Sequence, residues 1–460
     1  MSGLFSSLQS ASSALNLFSQ ALAADQRNVA NASTAGFASQ RINIQASATA
    51  ASGGADVVEI SSTGSSFADA TVQAAGSRAA ESQTQARRLS PVNQLFDITG
   101  SAGILAALQK FSTAFASLSV SPNDPALGAL ALRAAGNVAS SFNTVASGLD
   151  TQKAQVDAGI GSATQRINGL AQRIRDFNVR AHQGGGLDAS TEAGLRDGLD
   201  QLASLVDITV TRNSDGSVSV LAGGQLPLVI GDQAYGLSVD SAGQVASSGG
   251  GNSPGTFSGE LGALLQTRNV AIGQIIGTST SPGTLNTLAA GFAARVNTLL
   301  VSGVTATGSA GVPIFTFDAV SASNSARTLA LDLSITADQL GLATTGASAQ
   351  ANGIANQLAA LPSSNRAADQ ISGLPALGLF GSIAASAGQQ LSDANIASTT
   401  DQTALTLAQT DRQREIGVSL DAEAVAITAF QRAYQANAQI VSIIDRLTLT
   451  AVNLIGPTSG

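Results

Sequence analysis

Residues 142–181 read FNTVASGLDTQKAQVDAGIGSATQRINGLAQRIRDFNVRA. Phe142, Leu149, Val156, Ala163, Leu170 and Phe177 recur every seven residues. Ala146, Lys153, Ile160, Ile167, Ile174 and Ala181 form a second line, broken only by Lys153. Two apolar positions in every seven make a stripe along one helix face. The spacing predicts one unbroken helix over these residues, about 60 Å long at 1.5 Å per residue. Gly184-Gly185-Gly186 is a helix stop. On the other side, Ser121-Pro122-Asn123-Asp124-Pro125 separates this rod from an earlier helix carrying Ile104, Leu108, Phe111, Phe115 and Leu118. A rod this long fits an elongated molecule, with the stripe packed inside its own domain.

Beyond the rod the pattern changes period. Val206, Ile208 and Val210 alternate with Asp207, Thr209 and Thr211, a strand signature. Asn213-Ser214-Asp215-Gly216 is a turn, Ser217–Leu221 alternates again, and Leu226–Ile230 is a further strand. Ser247–Gly255 reads as a Gly/Ser linker. Helical spacing resumes at Leu261, Leu264 and Leu265, and again from Leu285 to Leu300. Residues 303–345 are rich in Gly, Ser and Thr with short strand-like runs such as Ile314–Phe317, and helices return after about residue 350.

Both ends carry narrow apolar seams. Leu4, Leu8, Ala11, Leu15, Phe18 and Leu22 step by four and three, with Ser and Gln between them. Ile427, Phe430, Tyr434, Val441, Ile444 and Ala451 keep the same spacing near the other end, interrupted by Asn437 and Thr448, while Ile440, Leu447 and Leu454 widen the stripe. Each seam is too thin to bury itself, so the two are expected to pair with each other or with neighbouring subunits. The first basic residue is Arg27, which argues against a secretory signal despite the small residues at 21–23. The fold class expected is mainly α, elongated and multi-domain. Terminal coiled-coil helices (1–60 with 405–460) flank a long-helix bundle domain (61–205 with 259–404), which carries a small inserted β-rich domain (206–258) and further strand-like segments at 303–345.

Composition narrows the function. The chain has 460 residues, a net charge of −8 and only 11% charged residues, against about 25% in typical domains. No basic stripe is available for nucleic acid. Absence of Cys excludes disulfides, thiol catalysis and Cys-ligated metals, and a single histidine, His182, excludes a multi-histidine site. No apolar stretch of about 18 residues is read, so no membrane span is expected. Neither metal nor cofactor is expected. His182 reads as a helix-end residue near the dipole. The glycine runs lack a following Gly-Lys-Ser/Thr. Asp207 with Asp215, and Asp421 with Glu423, could be paired carboxylates, but strand polarity and helix capping explain them more simply. Asp411–Glu415 reads as a solvated helix face. An enzyme and a surface-binding adhesin stay open as other classes.

Asn28-Val29-Ala30-Asn31-Ala32-Ser33-Thr34-Ala35-Gly36-Phe37 resembles the N-terminal signature of bacterial flagellar axial proteins, the rod, hook and hook-associated family. Gly417–Glu423 followed by Phe430–Ala438 resembles the closing helix of the same family. Pro122, Pro125, Arg133, Ile167-Asn168, Asn178, Leu195-Arg196-Asp197, Asp215-Gly216-Ser217, Gly259–Leu265 with Arg268, and Gly311–Phe315 are similar to its hook-associated branch. Residues 37–41 depart from the usual Tyr, Thr, Arg and Gln, and the chain is short enough for an outer inserted domain to be reduced or missing.

The resemblance implies a non-enzymatic structural subunit, exported unfolded by the flagellar type III system and polymerising at the hook tip. The ends would be disordered in the free monomer and fold on assembly. Expected partners are further copies of the chain, the hook protein, a second hook-associated junction protein and an export chaperone on the C-terminal helix. Leu8, Leu15, Phe18, Leu22, Ile427, Phe430, Tyr434, Asn437, Val441 and Ile444 would pack the terminal core. Asn28, Asn31, Thr34, Gly36 and Phe37 would set the turn that leaves it.

Overall fold

The computed structural model describes residues 2–34, 36–46, 55–62, 64–96, 102–183, 189–240, 242–253, 257–278, 281–318, 321–346 and 349–455. The chain opens with α1 (Ser2–Asn31), then a hairpin of β1 (Gln40–Ala46) and β2 (Ala55–Ser62). Four helices follow: α2 (Ser66–Gln94), α3 (Gly103–Val120), α4 (Pro125–His182) and α5 (Ala189–Leu205). The β region holds β3 (Ile208–Arg212), β4 (Val218–Ala222), β5 (Leu226–Ile230), β6 (Gln233–Ala234), β7 (Leu237–Val239), β8 (Val245–Ser247) and β9 (Asn252–Ser253). Then come α6 (Gly259–Gln266), a π-helical stretch over Thr267–Ile272, α7 (Gly273–Ile276) and α8 (Thr284–Ser302). Strands β10 (Phe315–Thr316) and β11 (Ala330–Leu331) bracket the single turn α9 (Ser325–Thr328). The chain closes with α10 (Gly353–Ala360), α11 (Ala376–Ile416) and α12 (Leu420–Ile455).

Helix α4 is the axis of the molecule. Every residue of its first heptad line, Phe142 to Phe177, is buried. The helix has 58 residues, about 87 Å, and starts at Pro125 rather than at Phe142. Asp124, expected only as a breaker, is its N-cap: Oδ1 accepts from the Ala126 and Leu127 amides at 2.8 and 3.3 Å. Pro125 takes the first turn, where no amide is needed. Lys153 breaks the second line as read and pairs at the half-exposed surface with Asp157, 3.0 Å away.

Helices α3, α5, α6 and α9 pack against α4, α10 lies on α3, and α8 meets α10 and α11. Phe111 stacks on Phe115 (ring centroids 4.5 Å) and meets Phe292 of α8 edge-on at 5.3 Å. Helix α3 corrects one expectation. Gly103–Val120 is long and apolar enough to cross a membrane by length and composition, but Ile104, Leu108, Phe111, Phe115 and Leu118 are buried in this core.

The β region is a four-stranded antiparallel sheet β3-β4-β5-β6 and a three-stranded sheet β7-β8-β9. Two asparagines on one face of α4 fasten both sheets to the rod. Asn178 donates to the Val218 and Gly231 carbonyls (2.8 and 2.7 Å) and accepts from the Val218 amide at 2.8 Å. Asn168 does the same with Leu237, at 3.0 and 2.7 Å. A side-chain amide carries a donor and an acceptor, so it satisfies a strand edge as another strand would. Of the linker read at Ser247–Gly255, the described part, 247–253, belongs instead to the hairpin β8–β9, with Ala246 opposite Asn252. Gly250 and Gly251 adopt positive φ in its turn. A second hairpin, β1–β2, stands within 31–60, where coiled coil was expected, with Ile42 opposite Ile60. The Gly184–Gly186 stop lies outside the described residues.

Candidate assembly hinge and terminal core

Helix α1 lies against α12. Phe18 faces Phe430 with ring centroids 6.2 Å apart. The buried line of α1 is Ala11, Leu17, Ala21 and Ala24, and the expected Leu8, Leu15, Phe18 and Leu22 flank it half-buried. Alanine at the contact line lets two helices approach closely, and the larger side chains then close the sides. On α12, Ile427, Phe430, Asn437 and Val441 are half-buried and Ile444 is buried, whereas Tyr434 is 42% exposed. Asn437 returns its amide to the Ala433 carbonyl at 3.0 Å, so a polar break in the seam leaves that donor paired. The side chains of Leu4, Ala451 and Leu454 lie outside the described residues.

Pairing leaves a second apolar row uncovered. Ile440, Ile443 and Leu447 step by three and four along α12, and all are exposed, as are Val425 and Leu449. One helix partner covers one stripe, and α12 carries two.

The turn below this pair is built by the expected asparagines. Asn31 donates to the Arg27 carbonyl at 2.9 Å, and the Thr34 and Phe37 amides close successive turns onto Asn31 and Thr34 (2.9 and 3.2 Å). Gly36 has φ +74°, and a Cβ there would sit 2.7 Å from the Ala193 carbonyl oxygen of α5. Both the backbone conformation and the close approach require glycine. Phe37 and Ala38 are buried, and the Ser39 amide donates to the Ile416 carbonyl at 2.8 Å. The chain leaving α1 and the break between α11 and α12 are thus tied together.

An ionic network anchors this junction. Arg196 of α5 donates through Nε to Asp69 Oδ2 at 3.0 Å and through Nη1 to the Gly36 carbonyl. Arg412 of α11 reaches Asp69 Oδ1 at 3.3 Å and Asp200 Oδ2 at 2.8 Å. Burial pushes the Asp200 carboxyl up, against the pull of Arg412. Arg196 stood in the sequence motif; its partners, scattered over α2, α5 and α11, had no sequence signal.

Among the described residues no group of three or more His, Asp or Glu could hold a metal ion. A cavity of about 180 Å³ between α2, α7 and α11 is lined by Leu89, Val92, Ile275, Ile383 and Gln390, with no titratable side chain. His182 bridges two turns of the β region, with Nε2 2.9 Å from Asp215 Oδ2 and Nδ1 2.7 Å from Asp232 Oδ1. Carboxylates only accept, so the clamp is complete when both ring nitrogens donate, that is, when the ring is an imidazolium. The Asp215 and Asp232 hydrogen bonds raise its pKa above the ordinary histidine value. Asp215 is held down at about 2, first by Ser217 and then by His182. The sign follows: the clamp is complete below the ordinary histidine value and is lost as pH rises through the raised one. With one histidine in the chain, a single imidazole NMR resonance reports it. Its midpoint is expected above about 6.5 and should fall in Asp215→Asn and in Asp232→Asn; a midpoint unmoved by both refutes the clamp.

The model of the flagellar hook-associated protein FlgK helical domain matches residues 89–315, from late α2 through α8 to β10. That of the flagellar basal body rod FlgEFG protein C-terminal region matches residues 415–454, which is α12. The chain is 26% identical to flagellar hook-associated protein 1 of Bacillus subtilis (strain 168), with 99% of each covered. Over its whole length the chain is similar to flagellar hook-associated protein 1. The fold agrees. The flagellar hook junction protein FlgK from Burkholderia pseudomallei superposes with a TM-score of 0.63 at 13% identity, over 76% of this chain and 100% of that one. In these matches α4 and its β region fall in the helical-domain segment, and α12 in the C-terminal segment.

Proposed function

We propose that this chain is the structural subunit of the flagellar hook–filament junction. It polymerises at the hook tip after export, unfolded, by the flagellar type III system. The observation that carries the reading is the terminal pair. Two helices from opposite ends of one chain meet along an alanine line while a second apolar row, Ile440–Leu447, stays open. An open helical lattice needs contacts of this kind, in which one face meets a different face of the next copy. The terminal core, 1–60 with 405–460, makes the axial contacts. The helical body, 61–205 with 259–404, spaces the subunits, and the β region faces outward. Residues Leu8, Leu15, Phe18, Leu22, Ile427, Phe430, Tyr434, Asn437, Val441 and Ile444 pack the core, and Asn28, Asn31, Thr34, Gly36 and Phe37 shape its exit.

The partners are further copies, the hook protein, a second hook-associated junction protein and an export chaperone on α12. The chain performs no catalysis. A deletion strain is the test. It should lack filaments and shed filament subunits into the medium, and re-expression of the chain should restore motility. Intact filaments in the deletion strain would sink the reading.

A further inference from the structure

Where α1 meets the start of α12, two carboxylates face each other. Asp25 is only 9% exposed. Asn28 donates through Nδ2 to Glu423 Oε1 and to the Gln40 carbonyl, both at 3.0 Å, and accepts from the Gln40 amide at 2.8 Å. Asp25 Oδ2, Glu423 Oε2 and Gln40 Oε1 are buried without a hydrogen-bond partner. From α12, Glu423 is the titratable group facing Asp25, and Asp421 is exposed. From β1 the uncharged Gln40 faces it, while Arg41, and Arg27 on α1 itself, are exposed.

Two ionised carboxylates in this place only accept, so they repel and leave oxygens bare. A single proton turns the repulsion into a hydrogen bond. Burial first, and then Glu423, push the Asp25 carboxyl up to about 6.

We infer that closure of α1 on α12 takes up one proton at the Asp25–Glu423 pair, so that the terminal core is loosened at alkaline pH and tightened by mild acid. The linkage belongs to the single chain; its consequence for assembly rests on the polymerising role proposed for the core. An unfolded Asp titrates near 3.9. The stabilisation is therefore complete below that value and lost as pH rises through the higher folded one. In a polymer, where neighbours exclude more water from the seam, the proton is held more tightly.

The absence of Cys makes the test clean. Ser19→Cys and Gln431→Cys, both at exposed positions, carry spin labels on the full-length chain. The ratio of paired to separated ends is read from the distance distribution. Urea is fixed where half the pairs are open at about pH 7.5. The ratio should rise about fourfold by about pH 5.5 and about tenfold by about pH 5.0. Asp25→Asn should flatten the curve and hold the pair closed at about pH 7.5, and Glu423→Gln should make it shallower only in part, because burial still raises Asp25.

A ratio that does not move with pH, or an unchanged slope in both variants, overturns the proton linkage. So does closure by millimolar calcium at about pH 8 that is lost in Asp25→Asn, which would make the pair a cation site. None of these results touches the junction reading, which the deletion strain decides separately.

Discussion

Arg196→Ala is expected to cost about 3 kcal/mol and to release the turn at Gly36 from the helical body. Arg196 is 5% exposed and holds two acceptors at once, Asp69 Oδ2 and the Gly36 carbonyl. Removing one partner of a buried ion pair costs about 3–5 kcal/mol, because the remaining charge has lost both its water and its counter-ion. Arg412 stays within 3.3 Å of Asp69, which places the loss at the low end of that range. The effect reaches further than stability. Gly36 approaches the α5 backbone too closely for any Cβ, and Arg196 fastens its carbonyl from the same helix. Without Arg196 the terminal pair keeps its own contacts but hangs from the Ser39–Ile416 hydrogen bond and the packing of Phe37. A thermal scan should show the body melting roughly 4–5 °C lower. Hydrogen exchange at residues 36–39 should quicken while that of α4 around Phe142 stays slow. Arg196→Lys, a point donor that serves one acceptor well, should recover about half of the loss. A melting temperature within about 1 °C of the parent in the alanine variant would show that the network is surface decoration.

The rod was legible because its signal is large side chains at fixed spacing. Phe142, Leu149, Leu170 and Phe177 announce one face, and all are buried. Its first turns were not legible, because there the packing is done by small residues. Ala131, Ala134, Ala135 and Ala139 are buried, and a Cβ on Gly128 would sit 2.5 Å from that of Ala337. Close approach of backbones needs small residues, and small residues carry little periodic signal. The same physics displaced the α1 seam. Leu15, Phe18 and Leu22 were the visible line, but Ala21 and Ala24 lie deepest. The hairpin Gln40–Ser62 did alternate at Ile42 and Ile44, but too briefly to stand out from the helical pattern before it. The hinge was half legible. Asn28, Gly36 and Arg196 sit in recognisable motifs, but Asp69, Asp200 and Arg412 converge only in three dimensions, at sequence separations of up to 343 residues. Such convergence leaves no local pattern.

The uncovered row on α12 separates folding from assembly, and a double substitution there is expected to abolish polymerisation while leaving the chain folded. Ile443 is 57% exposed and Ile440 47%, so Ile440→Lys with Ile443→Lys places two charges in water on the free subunit, at little cost to the monomer. On the junction reading proposed above, the same positions are covered in the polymer. Full burial of an isoleucine contributes about 1.5–3 kcal/mol, and about half of that surface is still to be covered here, so losing both raises the critical concentration at least about tenfold before any penalty for burying lysine. Ile444, one residue on, is buried against α1, and Ile444→Ala acts the other way. It loosens the α1–α12 pair by about 2 kcal/mol and weakens assembly only through that loosening. Circular dichroism and the spin-label distance should be unchanged in the double lysine variant and altered in Ile444→Ala. Sedimentation of the polymer should fail in the former and recover at higher protein concentration in the latter. Normal assembly of the double lysine variant would show that this row faces solvent in the finished structure, and the terminal core would then have to polymerise through the flanking residues of α1.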